Sequence, residues 1–99
     1  MKTYTLWLWE GNRSDPVDSA RSIQTARKKA CGILRRYGYG DRYIEILDDT
    51  SNDYPSVGTI TRYPIKGREF IWTPLRYFGK GTKDRYIVLP DGDIKAVKN

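Results

Sequence analysis

Residues 15–38, DPVDSARSIQTARKKACGILRRYG, decide the fold. Ile23, Ala26, Ala30, Ile33, Leu34 and Tyr37 recur in steps of three and four, the period of a helix face that packs on something. At about 100° per residue, Arg21, Thr25, Lys28, Lys29, Arg35 and Arg36 fall on the opposite side. The spacing predicts one strongly two-faced helix. Asp15 reads as its N-cap, with Pro16 at the first helical position and Asp18 three residues past the cap as an acidic capping box. Gly38 stands where a left-handed C-terminal cap is expected, so the helix should end near Tyr37. Ala20, Ala26 and Ala30 would let it lie close to a sheet. Ile23, Ile33 and Leu34 supply the buried area, each worth about 1.5–3 kcal/mol when fully covered.

The flanking sequence reads as strands. Over residues 3–9, Tyr4, Leu6 and Leu8 alternate with Thr5, Trp7 and Trp9, period two with large apolar groups on both faces. That pattern suits a central strand, or one with the helix on one face and a loop or partner on the other. Residues 10–16 read as a polar connection to the helix. Beyond it, further strands are expected over 42–47, 57–63, 69–73 and 85–89, with a short sixth over 94–97. Turn-forming residues separate them: DDTSNDYPS at 48–56, PIKGR at 64–68, the glycine-containing 75–83 and a DG turn at 90–93.

The expected fold is therefore α+β, with one amphipathic helix packed on a curved, mainly antiparallel sheet in the order β-α-β-β-β-β, a sixth strand closing the series. If the first two strands were parallel neighbours, their crossover would be right-handed. The order lacks the initial helix of a double-stranded RNA-binding domain and the second helix of an RRM. With 99 residues the chain has room for one core, so residues 1–99 are expected to form a single domain. An aromatic complement of 3 Trp, 8 Tyr and 2 Phe exceeds what disordered chains carry.

No stretch approaches the roughly 20 apolar residues that cross a bilayer, and the first residues lack the features of a signal peptide. Cys31 is the single cysteine of the sequence and leaves no room for an intrachain disulfide or a CxxC site. These features point to a cytoplasmic protein without a membrane partner. The absence of histidine removes the usual general base near neutral pH and the commonest zinc ligand. Cys31 sits mid-helix beside the apolar stripe, where packing is the expected role. No catalytic residue, metal or cofactor is assigned, and enzymatic activity is disfavoured.

Charge carries the functional signal. The net charge is +6, and it is segregated along the chain: a neutral start, a basic helix, an acidic stretch over 41–56 and then a basic C-terminal half. The first candidate surface is the helix face bearing Arg21, Lys28, Lys29, Arg35 and Arg36, which would offer several cations to nucleic-acid phosphates. The plain alternative is the solvated side of an amphipathic helix. The second is the aromatic and basic material of the C-terminal half, which includes Arg62, Tyr63, Lys66, Arg68 and Trp72. Within it Arg76, Tyr77, Lys80 and Lys83 are the residues expected to contact DNA or RNA, in the manner of a stacking platform. Trp7, Trp9, Arg76, Tyr77 and Phe78 would instead serve a protein partner or a homodimer, since aromatics and arginine are enriched in interface hot spots. For Trp72, filling the core is the favoured role.

Two apparent motifs fail. Asp49, Ser51 and Asp53 match alternate positions of a calcium loop, but Tyr54 replaces its glycine and Ile60 its terminal glutamate. A magnesium site would need Glu45 to approach the aspartates from its strand. Gly79-Lys80-Gly81-Thr82 lacks the upstream glycine and residue order of a phosphate loop.

Overall fold

The first expected strand forms as β1, Tyr4–Glu10. The chain then turns back through Gly11 and Asn12, with Gly11 at φ 63°, into a second strand, β2, Arg13–Ala20. Residues 15–20 are therefore strand and not the first turns of the helix. The helix α1 begins later, at Ile23, and runs to Leu34, three residues short of the expected end at Tyr37; its C-cap is Arg35 in the right-handed conformation, and Gly38 does not take the positive φ of a left-handed cap. Its N-cap is Ser22, whose Oγ accepts a hydrogen bond from the Thr25 amide at 3.1 Å. After α1 come β3 (Tyr43–Asp48), β4 (Ser56–Arg62), β5 (Phe70–Pro74), β6 (Tyr86–Val88) and β7 (Ile94–Ala96). The computed structural model describes residues 2–50, 56–75 and 85–97.

All seven strands join one open sheet in the order β2-β1-β3-β4-β5-β6-β7, and every pairing is antiparallel. The structure is thus α+β, one helix on an antiparallel sheet, with β2 added between the first strand and the helix. This addition removes the parallel crossover: β2 reverses the chain, α1 reverses it again, and β3 returns antiparallel to β1. Because β2 is an edge strand, Pro16 is tolerated there. A register shift opposite Leu6 and Trp7 leaves Val17 as an extra residue, a bulge that further roughens this edge.

The register separates the side chains into two sets. Tyr4, Leu6, Leu8, Ala20, Ile44, Ile46, Ile60 and Trp72 point to one face and are buried, and α1 covers them with Ala26, Ala30, Cys31, Ile33 and Leu34. Ala26 and Ala30 are fully buried, as close approach of helix to sheet requires. The opposite face, which carries no helix among the described residues, presents Trp7 and Trp9 of β1, Tyr43, Glu45 and Leu47 of β3, then threonines of β4 and β5.

The C-terminal hairpin docks on the helix through one buried cation. Arg27 is only 7% exposed. Its Nε donates to the Gly92 carbonyl at 2.8 Å, and its guanidinium lies 5.4 Å from the centre of the Trp72 ring. Gly92 has φ 88°, and a Cβ there would run into the Gln24 carbonyl, so the turn depends on glycine for both its conformation and its approach. Gln24 Nε2 also donates to the Asp91 carbonyl at 3.1 Å.

Candidate functional site

The expected basic helix face is redistributed by the later start of α1. Arg21 is exposed but precedes the cap, while Lys28 and Lys29 are exposed within the helix. Arg35 is the C-cap residue and Arg36 lies just beyond it. Lys29 is held on the β2 side: its Nζ donates to the Ser19 carbonyl at 2.8 Å and lies 3.6 Å from Asp18 Oδ1. Lys28 and Arg36 enter no ion pair among the described residues. Arg76, Tyr77, Phe78, Lys80 and Lys83 lie outside the described residues.

At the end of α1 the arginines converge with aromatic rings. The residue that organises them is Arg62, at the end of β4. Its Nη1 donates to the Tyr37 carbonyl at 2.7 Å and to the Leu34 carbonyl at 3.2 Å, the latter also accepting from the Tyr37 amide, so a cation sits at the negative end of the helix. Its Nη2 lies 3.6 Å from Glu69 Oε2. The guanidinium also lies against two rings, 4.5 Å from the centre of Tyr39 and 5.6 Å from that of Phe70. Arg35 lies over the same Phe70 at 4.9 Å, and Arg42 over Tyr37 at 4.6 Å. Arg42 Nε is 3.4 Å from Glu10 Oε1 without being aligned for a hydrogen bond, and Arg62 Nε likewise makes none.

The β4–β5 turn brings Lys66 and Arg68 to this same end of the sheet, and both are exposed. The acidic stretch divides. Asp41 stays near the arginines, exposed, whereas Asp48 and Asp49 lie at the far end of β3. Five residues of strand separate Tyr43 from Asp48, about 17 Å at 3.4 Å per residue. There Asp49 accepts from the Thr5 hydroxyl at 2.8 Å, and Lys2 lies 3.7 Å from Asp48. The hydroxyl and amide of Thr50, with a smaller contribution from Lys2, hold the Asp48 carboxyl below its ordinary pKa. Glu45 leaves β3 on the opposite face from Asp48, and among the described residues no three potential ligands gather for a metal.

The aromatics of β1 occupy the other side of the sheet. Trp9 stacks on its cross-strand partner Tyr43 with centroids 6.0 Å apart and planes 9° from parallel. Trp9 Nε1 donates to Glu45 Oε1 at 3.1 Å, and Ser56 Oγ to Glu45 Oε2 at 2.8 Å. Trp7 and Trp9 are both half-buried. They face away from α1, so they share no surface with Lys28 and Arg36.

Two residues that matter here have roles that escape a reading of the sequence, although Arg62 is named there among the basic and aromatic residues of the C-terminal half. Arg27 lies on the inner stripe at about 20° from Leu34 on a helical wheel, a placement visible in the spacing alone. Arg62 has no such signal, since its partners lie 25 and 28 residues earlier in the chain. Cys31 is buried, and loss of solvation pushes its thiol up to about 12, opposed first by Arg35. That is the behaviour of a packing residue and not of a nucleophile. No helix among the described residues is long and apolar enough to cross a membrane. Comparison with protein-family models, curated proteins and solved structures finds no significant match.

Proposed function

We propose that this chain is a small, non-enzymatic, cytoplasmic binding module that contacts nucleic-acid phosphates through the outer face and C-terminal end of its helix. Lys28, Arg35 and Arg36 make the contacts. The supporting observation is the crowding of Arg35, Arg36, Arg42, Arg62, Lys66 and Arg68 at one end of the sheet, with Asp48 and Asp49 at the other. The acidic residues near the cluster do not cancel it: Glu10 and Glu69 engage Arg42 and Arg62, and Asp41 is the remaining carboxylate there among the described residues. Several cations reachable from one side give the counterion release on which phosphate binding depends. The lone buried thiol suits a reducing compartment.

A second reading, a protein-interaction surface or homodimer on the Trp7 and Trp9 side, is favoured by the absence of a helix over that face among the described residues. One experiment separates the two. Nuclease-treated protein is titrated against labelled single-stranded and duplex DNA and RNA by fluorescence anisotropy at two salt concentrations, with its mass followed by light scattering. Under the first reading, binding weakens steeply with salt, the double variant Lys28→Glu/Arg36→Glu binds at least about tenfold more weakly, and Trp7→Glu binds normally. Absence of binding at low salt, together with a dimer that Trp7→Glu dissociates, would replace the first reading by the second.

A further inference from the structure

Tyr39 is 53% exposed, one of the few large apolar side chains in the described residues with more than half its surface in solvent. Its placement is not that of a stray loop residue. Arg62 lies over its ring at 4.5 Å, and Arg62 is itself held by the Leu34 and Tyr37 carbonyls, by Glu69 and by the Phe70 ring. The ring therefore rests on a fixed cation while the residue keeps 53% of its surface in solvent. Arg36 is exposed three residues earlier, and Tyr63 and Ile65 are exposed at the same end of the sheet.

We infer that Tyr39 is a stacking platform for an unpaired base, which makes the ligand of the basic surface single-stranded nucleic acid. This rests on the phosphate-binding reading above and narrows it. Within a duplex both faces of each base are already covered by neighbours, so a lone surface ring meets a base only where the strand is unpaired. An aromatic ring accepts any base on its face, while cations nearby hold the backbone. A ring already fixed by Arg62 loses little freedom on binding, which favours the complex. Base identity is not read by such a contact, so sequence preference is weak.

The test uses the full chain with oligouridine and with a duplex RNA of equal length, both labelled, by anisotropy at two salt concentrations. The variants are Tyr39→Ala, Tyr39→Phe and Lys28→Glu/Arg36→Glu, each checked by thermal melting. Wild type should bind the single strand more tightly than the duplex. Tyr39→Ala should weaken single-strand binding by about fivefold to a hundredfold with the salt dependence unchanged, and Tyr39→Phe should restore it. Equal binding of single strand and duplex, or normal affinity in Tyr39→Ala, overturns the platform. If the charge variant still weakens binding in that case, the phosphate reading survives alone. If wild type binds neither nucleic acid, both fall.

Discussion

Arg27 shows how one residue can be both costly and required. Burial lowers its pKa below the ordinary arginine value, opposed first by Asp93 and then by Cys31, yet a guanidinium stays protonated at any pH a protein survives. The charge is thus kept inside, where it must be solvated by the Gly92 carbonyl and the Trp72 ring. Arg27→Ala should lower stability by about 2–4 kcal/mol, the combined effect of a lost charge-assisted hydrogen bond and a cavity. Arg27→Met fills the space without a buried charge and should lose clearly less. Denaturant unfolding of both variants measures the difference, and equal losses would show that the hydrogen bond, not packing, dominates. The helical wheel places Arg27 on the inner stripe, but its acceptor belongs to a turn 65 residues away, which no local pattern reveals.

Among the elements, six strands are legible in the sequence to within one or two residues, and the helix beyond Ile23 to within three at its end, because alternation and three-four spacing are direct images of burial. β2 is not. Of its eight residues only Ala20 is buried, so an edge strand of this kind prints no period-two signal. Asp15-Pro16 then imitates a helix start, and the informative cue is the Gly11-Asn12 pair of a two-residue hairpin turn. The two possible helix starts differ in a measurable way. Ser22→Ala removes the hydrogen bond to the Thr25 amide and should cost about 1 kcal/mol, while Asp15→Ala in the exposed strand should stay within about 0.5 kcal/mol. Chemical denaturation decides it, and the reverse ranking would place the cap at Asp15. The same misplacement explains the candidate site. Lys29 looks free on a helix drawn alone but acquires Asp18 and Ser19 as neighbours once β2 lies beside it.

For the molecule as a whole, the sheet acts as a partition. Cations gather on the helix side and at the helix end, while the Trp9–Tyr43 stack occupies the other face. Composition alone presents basic and aromatic residues as one mixture, since the side to which each strand residue points depends on a register that only the paired sheet fixes. The partition bears on the topology too. Every strand pairs with its neighbours in sequence except at one place, where β1 meets β3 through six residue pairs from Tyr4 with Asp48 to Trp9 with Tyr43. That junction joins a hairpin with its helix to a five-stranded meander, and Leu6, Leu8, Ile44 and Ile46 lie along it, all buried. Each portion would uncover its apolar face if the junction opened, which argues against a stable half. Unfolding should be all-or-none, with tryptophan fluorescence and far-ultraviolet dichroism lost in a single coincident transition; two separate transitions would mean that the hairpin and helix, or the meander, can stand alone.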